Sequence, residues 1–342
     1  FSSANNHLIG EAAGVWIAAV TWPCWPQLRR WGAECRAVLE REALKQNAAD
    51  GGNREQAVSY QQFVLDFLLL SGLAGRAAGQ DFSRAYWGRV ERMIEFLADL
   101  TDAGGHVPMI GDADDGYAVT LDPRPEVCRY RSLIATGAAL FGREDLAAKA
   151  AGEDAKTAWL LDARTRAPAP SGTHAPRRAL EDSGYYLLGG DFGTANEVRM
   201  LVDAGPLGYL SLAAHGHADA LAVLLNVGGR EVLLDPGTYA YHTQPEWRRY
   251  FRGTRAHNTV MVDGTDQSEQ GGNFMWSRHA RARCLEFAVT PGEQRFAGEH
   301  DGYAVLEDPV THWRCIRYRP AAWCFEITDT LICTGRHRAD RH

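Results

Sequence analysis

The stretch LAAHGHADALAVLLNVGGREVLLDPGTYAY, residues 212–241, decides the fold class of the second half of the chain. Two apolar runs flank Gly228-Gly229, which is a strong signal for a two-residue β-hairpin turn and for antiparallel pairing. His215 and His217 stand two residues apart just before this hairpin. Because side chains alternate between the two faces of an extended segment, both imidazoles are expected on the same side.

Two different patterns divide the chain. From Glu11 to about Leu161, apolar residues recur at helical spacing in long blocks, and glycines close several of these blocks. Beyond the proline-rich stretch RTRAPAPSGTHAPR, residues 164–177, the pattern changes to short β-like runs. The sequence therefore predicts an α+β chain with a helical domain at 1–165, a linker at 166–176 and an antiparallel β domain at 177–342.

The composition excludes several classes of protein. The chain has 342 residues, of which 45% are hydrophobic and 23% are charged, as in ordinary soluble globular domains. No apolar run reaches the roughly 18 residues that a membrane span needs. The net charge of −7 argues against a general nucleic-acid-binding protein. Seven cysteines without a Cys-x-x-Cys pair predict neither a disulfide framework nor a cysteine zinc site.

The β half contains side chains that are able to hold a metal ion. Two imidazoles and a carboxylate, or three imidazoles, suit Zn²⁺. The candidate ligands are His215, His217, Asp235 and His257, with Asp219 and His242 nearby. The segment HGHAD also matches the first five positions of the metallo-β-lactamase pattern H-x-H-x-D-H, but Ala220 stands where that pattern needs its third histidine.

Strand geometry sets a condition on this metal site. A plain turn at Gly228-Gly229 would place Asp235 opposite Ala222, which lies about 16 Å along the strand from His217 at the usual rise per residue. Strand pairing alone therefore does not join these ligands, and a turn or bulge near His217 would have to do so. On residue types alone, a metal site and a set of unrelated polar histidines both remain open.

Three segments of the helical half carry polar clusters. SSANNHLIGE, residues 2–11, offers a helix N-cap at Ser2, Ser3, Asn5 or Asn6. DGGNREQAVSYQQF, residues 50–63, places Glu55 and Tyr60 near a helix start, where a tyrosine ordinarily packs. HVPMIGDADDGYAV, residues 106–119, contains Asp112, Asp114 and Asp115, for which a solvated turn is favoured over a role in metal or sugar binding.

Taken together, these segments resemble the heparinase II/III-like polysaccharide lyases. The resemblance runs from SSANNHLIGEAAG and DGGNREQAVSY through PMIGDADDG to HGHADALAVLL, LLDPGTYAY and YFRGTRAHNTVMVDGTDQ, and the last three are the specific motifs. It implies an incomplete N-terminal (α/α) toroid followed by a large antiparallel β-sandwich. It also implies a periplasmic or secreted protein. The chain opens at FSSANNHLIGE without a methionine, so an upstream part with any signal peptide is expected to be missing.

The resemblance also implies roles for individual residues. Asn6 would neutralise the substrate carboxylate, with His7 beside it, and Tyr60 would be the Brønsted acid. His215 would be a second catalytic group. Tyr250 would be a further active-site tyrosine and is preferred to Tyr241 and Tyr239. Substrate binding would fall to Arg252, Tyr241 and Tyr239. One mainly structural Zn²⁺ would be held by His217, Asp235 and His257. The arginines of WRRYFRGTRAHN, residues 247–258, would either supply a cationic field or form a solvated strand face.

The implied reaction is β-elimination from an acidic polysaccharide or oligosaccharide that contains uronic acid. It leaves a 4,5-unsaturated uronate end, and an unsulfated or bacterial polymer is favoured as the substrate. Two alternatives stay open. A glycoside hydrolase would need paired carboxylates, for which Asp112, Asp114, Asp115 and Glu55 are the candidates. A non-catalytic carbohydrate-binding or biosynthetic-cluster protein could keep the same fold and zinc. The oligomeric state is not predicted.

Overall fold

The computed structural model describes residues 4–114, 116–150, 152, 154–161, 165 and 167–342, and these form two compact units. The first unit comprises Phe1–Arg54, Ser59–Leu100 and Asp115–Ala175, and the second comprises Glu55–Val58, Thr101–Asp114 and Pro176–His342. Two short segments of the predicted helical domain thus join the β unit. The predicted boundary at residues 166–176 stays a prediction. In the described residues no helix is long and apolar enough to cross a bilayer.

The first unit is built from helices. Asn5 caps the first helix, α1 (Asn6–Thr21), by accepting a hydrogen bond from the backbone N–H of His7 at 3.3 Å, whereas Ser2 and Ser3 lie outside the described residues. Helix α5 (Arg129–Phe141) is followed by Gly142, whose φ of 66° is left-handed. The helices are α1 Asn6–Thr21, α2 Pro26–Lys45, α3 Val58–Ala77, α4 Arg84–Leu100, α5 Arg129–Phe141, α6 Glu144–Ala150 and α7 Ala155–Leu160. Their predicted toroidal arrangement stays a prediction.

The second unit contains two main antiparallel sheets. A five-stranded sheet has the order β1 (Ala179–Leu180), β2 (Tyr185–Gly190), β3 (Val198–Asp203), β4 (Val223–Val227), β5 (Arg230–Leu233). A four-stranded sheet has the order β12 (Cys324–Ile332), β11 (Val310–Arg319), β10 (Gln294–Tyr303), β9 (Ala282–Val289). Side chains of both sheets, among them Met200 and Val223 from one and Phe296 and Ile316 from the other, share a buried core. The two sheets therefore pack face to face, as the predicted antiparallel β domain requires.

The strands of the second unit are mostly short. The first sheet consists of β1 Ala179–Leu180, β2 Tyr185–Gly190, β3 Val198–Asp203, β4 Val223–Val227 and β5 Arg230–Leu233. Two ribbons pair β6 Val260–Val262 with β13 Ala339–Arg341, and β7 Glu269–Gly272 with β8 Met275–Arg278. The second main sheet consists of β9 Ala282–Val289, β10 Gln294–Tyr303, β11 Val310–Arg319 and β12 Cys324–Ile332. Helix α8, Pro245–Arg252, lies between β5 and β6.

The predicted hairpin is present between β4 and β5. Gly228 and Gly229 have φ values of 57° and 70°, as a type I′ turn requires, and Val227 pairs with Arg230 across it. A register shift between Leu225 and Asn226 then pairs Leu225 with Leu233. The hairpin fixes where β5 ends and therefore where the segment containing Asp235 begins.

Candidate functional site

The segment that carries His215 and His217 is not a strand. Residues 211–222 form consecutive turns before β4 begins at Val223. Ala213 and Leu221 adopt left-handed φ values of 47° and 59°, which bend the chain at both ends of the His-Gly-His motif. The strand-based distance of about 16 Å between His217 and Asp235 therefore does not apply.

The bend brings three predicted metal ligands together. One ligand atom from each of His217, Asp235 and His257 lies within 4.8 Å of the other two, and all three residues are buried. Nδ1 of His257 lies 3.2 Å from Oδ2 of Asp235. Asp219 is buried nearby but does not belong to this set, and neither does the exposed His242. The set thus differs from the metallo-β-lactamase pattern, which would use the aspartate of HGHAD.

The chemistry of these donors fits a divalent metal ion. Among the described residues, neither Nδ1 of His217 nor Nε2 of His257 has a hydrogen-bond partner, although both atoms are buried. Buried ring nitrogens of this kind ordinarily find a partner, so a ligand for them is expected. Two imidazoles and a carboxylate form a common zinc donor set, and a bound Zn²⁺ would satisfy these atoms.

The electrostatics around this set also favour a cation. Burial opposes a charge on His257, but the adjacent Asp235 and the buried Asp219 and Asp203 outweigh it and raise the pKa of His257 to about 9. Burial is also the first reason why the pKa values of Asp203 and Asp219 are raised. The carboxylates around these imidazoles therefore favour a positive charge at this position.

One carboxylate joins both histidines of the His-Gly-His motif. Asp112 is fully buried, its Oδ2 lies 3.2 Å from Nδ1 of His215, and its Oδ1 lies 3.0 Å from Nε2 of His217. Arg248 donates to both carboxylate oxygens, with the Nη2–Oδ2 distance at 2.7 Å. Burial would raise the pKa of Asp112, but the hydrogen bonds from His215, His217 and Arg248 hold it well below its usual range.

The other nitrogen of His215 points toward a second acidic side chain. Nε2 of His215 lies 3.5 Å from Oε2 of Glu55, and both side chains are buried. The His215 ring also meets Phe274 edge-on at 5.8 Å between centroids, and Phe274 in turn contacts Tyr241 at 5.1 Å. The Arg248 guanidinium lies 4.9 Å from the centre of the Tyr241 ring. Tyr241 therefore belongs to the surroundings of His215.

The other two candidate tyrosines have different neighbours. Tyr250 is 42% exposed and its ring packs on Trp247 and Phe251 of the same helix. Tyr239 is 62% exposed and stacks on Phe251 at 5.4 Å. No ring contact links either of them to His215 within the described part of the chain. The contacts favour Tyr241 over Tyr250 as the active-site tyrosine of this unit, and the catalytic assignment itself stays a prediction.

The expectation that Arg252 binds substrate is not supported by its position. The segment predicted as a possible solvated strand face is helix α8, with Pro245 in its first turn. Arg248 and Arg252 are one turn apart on its buried face, whereas Arg249 is exposed. Arg252 is fully buried, lies 4.6 Å from the centre of the Trp276 ring, and donates to the carbonyl of Gly272 at 2.7 Å. Burial next to Arg248 lowers its pKa to about 10.

The remaining predicted catalytic residues lie in the first unit. Asn6 is buried in the first turn of α1, whereas the adjacent His7 is exposed. Tyr60 is buried in the first turn of α3, and its ring meets Phe63 edge-on at 6.5 Å. Their roles stay predictions.

The sequence did not single out two residues of this site, Asp112 and Phe274. Asp112 appears in the sequence only as one of three aspartates of the loop DADD. The signal that separates it is the apolar run Val107–Ile110 just before it, because a carboxylate that follows buried residues is more often buried than one at a loop tip. Asp114 is exposed, and Asp115 lies outside the described residues.

Comparisons with known proteins agree on one family. The family model "Heparinase II/III-like, C-terminal" matches residues 172–342, and "Heparinase II/III N-terminus" matches residues 1–123. A heparin-sulfate lyase of Pedobacter heparinus is 26% identical over 271 residues, which cover 77% of this chain and 37% of that protein. A heparin-sulfate lyase of Bacteroides stercoris is 24% identical over 279 residues, covering 79% and 37%. The chain thus spans well under half the length of these curated relatives.

Solved structures show the same fold. A structure of heparinase III superposes with a TM-score of 0.75 at 20% identity, covering 99% of this chain and 47% of that one. The heparan sulfate lyase of Pedobacter heparinus gives a TM-score of 0.69 at 20% identity, covering 98% and 47%. The predicted α+β fold class and the resemblance are thereby confirmed. The chain belongs to the heparinase II/III-like family.

Proposed function

We propose that this chain is the active part of a polysaccharide lyase that cleaves a uronic-acid-containing polymer by β-elimination. The observation that carries the proposal is the buried His215, whose Nδ1 is held by Asp112. An imidazole fixed in this way presents its other nitrogen for proton transfer. The relatives named heparin-sulfate lyases support the same class of reaction.

The elimination divides its tasks among three kinds of group. Removing the weakly acidic C5 proton needs a base together with stabilisation of the charge that develops on the C6 carboxylate, for which Asn6 is proposed. His215 is proposed to take the C5 proton on Nε2, and Tyr60 is proposed to protonate the departing O4. A Zn²⁺ bound by His217, Asp235 and His257 would supply a fixed positive charge that holds these segments together. Lyase chemistry itself needs no hydrolytic water.

The substrate is proposed to be a glycosaminoglycan of the heparan sulfate type or its unsulfated precursor polymer. The names of the curated relatives favour the sulfated form, whereas the sequence favoured an unsulfated or bacterial polymer. The buried position of Arg252 argues against a direct contact of this cation with the polymer. A direct comparison of sulfated and unsulfated substrates is therefore required. A periplasmic or secreted location stays a prediction.

The position of Asp112 argues against the glycoside hydrolase alternative. Asp112 accepts hydrogen bonds from His215, His217 and Arg248, so it remains ionised and is not available as a general acid. A non-catalytic protein could have the same fold and the same metal ligands, so only a measurement of activity distinguishes it from a lyase.

The test is a panel of uronic-acid polymers incubated with zinc-loaded protein: heparan sulfate, its unsulfated precursor, hyaluronan and alginate. A lyase produces a rise in ultraviolet absorbance from the unsaturated uronate, and mass spectrometry of the products shows no added water. His215→Ala and Tyr60→Phe serve as matched variants and are expected to abolish the rise. Products that carry an added water would establish the hydrolase, and folded, zinc-loaded protein that is inert on the whole panel would favour the binding role.

A further inference from the structure

Asp112 holds an unusual position because it contacts two imidazoles and one guanidinium at once. Its Oδ2 faces Nδ1 of His215 at 3.2 Å, and its Oδ1 faces Nε2 of His217 at 3.0 Å. Its own backbone N–H donates to the carbonyl of His215 at 2.8 Å, so main chain and side chain both bind the same motif. These contacts join residues far apart in the sequence: Asp112 lies 103 positions before His215 and 105 positions before His217.

The two contacts fix the tautomers of both histidines. An ionised carboxylate only accepts hydrogen bonds, so Nδ1 of His215 and Nε2 of His217 must each carry a proton. A neutral His217 then has its lone pair on Nδ1, which is the buried nitrogen without a hydrogen-bond partner among the described residues. A neutral His215 has its lone pair on Nε2, on the side of Glu55. One carboxylate thereby prepares one imidazole for a metal and the other for proton transfer.

Arg248 supplies the counterion that the buried Asp112 carboxylate needs. A buried carboxylate without a cation would be strongly destabilising, and neutral imidazoles do not supply a full charge. Arg248 is 1% exposed and donates to both oxygens of Asp112. Arg248 therefore supplies the counterion of Asp112, and the hydrogen bonds to His215 and His217 add to this ion pair.

We propose that Asp112 is a positioning residue that sets the tautomers of His215 and His217 together and so serves both the metal site and the proton-transfer site. The part of this inference that concerns His215 rests on the proposed lyase function, and the part that concerns His217 does not. Outer carboxylates that orient metal-bound histidines are a general feature of zinc sites. Here the same carboxylate also orients a histidine outside the ligand set.

Asp112→Asn tests the proposal because an amide has one acceptor and one donor group where the carboxylate has two acceptors. With zinc bound, His217 must keep its Nδ1 lone pair for the metal, so its Nε2–H donates a hydrogen bond to the side-chain oxygen of the amide at position 112. The amide NH₂ then faces His215, whose Nδ1 must become the acceptor, and the proton moves to Nε2. The substitution therefore weakens the metal site and also places the wrong tautomer at His215.

We expect zinc affinity, measured by competition with a chromogenic chelator, to fall roughly 10–100-fold in Asp112→Asn. At saturating zinc, kcat is expected to fall roughly 10²–10⁴-fold while KM changes little, because the contribution of proton transfer is lost but not substrate binding. His215→Ala, which leaves the ligand set intact, should retain wild-type zinc affinity. Asp112→Glu restores two acceptor oxygens and should recover part of both losses.

Asp329→Asn is the matched control for general destabilisation. Asp329 is half-buried, and its carboxylate also accepts from a histidine, His312, and from an arginine, Arg314, but none of these three residues belongs to the metal ligand set of His217. Its zinc affinity and kcat should stay at wild-type values even where its melting temperature falls.

A measurement on the wild-type protein covers the case in which Asp112→Asn does not fold. Imidazole ¹⁵N chemical shifts of the zinc-loaded protein, assigned by comparison with His215→Ala, should show the His215 proton on Nδ1. A proton on Nε2 would overturn the proposal, and so would an Asp112→Asn protein with wild-type zinc affinity and kcat. If the wild-type protein cleaves no polymer, the proposed function fails, while the zinc affinities and the ¹⁵N shifts still decide the role of Asp112.

Discussion

Two clusters in the second unit use the same residue types for different ends. In one, Asp112 accepts from His215, His217 and Arg248. In the other, Asp329 accepts from Nε2 of His312 at 2.8 Å and from Arg314 at 2.7 Å. His312 in turn bonds through Nδ1 to Nε2 of His300 at 3.0 Å, and Nδ1 of His300 lies 3.1 Å from the backbone nitrogen of Gly302. All residues of the first cluster are buried, as are the histidines and the arginine of the second, whereas Asp329 is half-buried.

The difference between the two clusters lies in the outer ring nitrogens. Around Asp329, all four ring nitrogens of His300 and His312 have a hydrogen-bond partner. Around Asp112, Nδ1 of His217 has none among the residues that the structure describes. Buried histidines are thus not in themselves a functional signal. A ring that is oriented by a carboxylate on one side and lacks a partner on the other is such a signal.

The largest effect is expected for His217→Ala, which removes one of the three proposed zinc ligands. Zinc affinity should fall by more than the roughly 10–100-fold that loss of an outer-shell partner causes. His312→Ala is the counterpart in the other cluster and should leave zinc affinity unchanged while destabilising the fold. Chelator competition and metal analysis of the purified proteins measure both. Equal zinc affinities in the two variants would mean that the comparison does not separate a metal site from a structural cluster.

The next effect concerns turnover. His215→Ala should lower kcat on the responsive polymer by roughly 10²–10⁴-fold, the usual contribution of a positioned general acid or base. His300→Ala, in the fully hydrogen-bonded cluster, should lower kcat less than about threefold once the folded fraction is taken into account. Steady-state kinetics at saturating zinc give both values. A loss of kcat in His300→Ala as large as that in His215→Ala would show that both clusters serve the reaction.

The fully hydrogen-bonded cluster should make stability depend on pH. Burial, with the charges on His312 and Arg314, holds the pKa of His300 well below its usual value, and burial also lowers the pKa of His312. Below about pH 6.5 the unfolded chain binds protons that the folded chain excludes. Stability contributed by neutral His300 is therefore present above that pH and is lost as the pH falls, by about 1.4 kcal/mol per pH unit for each such group.

His300→Gln should make the free energy of unfolding depend less steeply on pH, because it removes one of the two buried titrating groups. Asp329, Arg314 and Arg341 surround the pair and keep their charges over this range, since the pKa of Asp329 is held low by His312 and Arg314 against the effect of burial. Urea unfolding from pH 8 to pH 5 measures the slope for the wild type and the variant. A variant that loses stability toward acid as steeply as the wild type would place the titrating group elsewhere.

Much of the fold followed from periodicity and turn chemistry. Helical spacing up to Leu161 and the Gly228-Gly229 hairpin signal are local properties, so the α+β class and the β4-β5 pairing were predictable. The helical state of residues 245–252 was not predicted, because WRRYFR also fits an extended segment. Pro245 at the start, with Arg248 and Arg252 one turn apart, is the pattern that indicates the helix.

The site was predictable in its ligand types but not in its connections. His217, Asp235 and His257 are the residues that zinc chemistry and the family resemblance select, yet their approach depends on left-handed residues such as Leu221 that no pattern required. The contact of Asp112 with His215 spans 103 positions and depends on how the 101–114 segment docks within the second unit. Burial of an arginine depends likewise on a distant partner, which a single sequence does not reveal.

The smallest effects are expected at the tyrosines and decide how far the site extends. Tyr241 contacts Phe274 and Arg248, the neighbours of His215 and Asp112, whereas Tyr250 packs on Trp247 and Phe251 at the surface of α8. We expect the Tyr241 hydroxyl to hydrogen-bond to the substrate, and because such a bond contributes about 0.5–1.5 kcal/mol, Tyr241→Phe should lower kcat/KM several-fold. Tyr250→Phe should stay within about twofold of the wild type, as exposed substitutions usually do. A larger loss of kcat/KM in Tyr250→Phe than in Tyr241→Phe would indicate that the substrate binds at the exposed face of α8, and Tyr250 would then be the preferred active-site tyrosine.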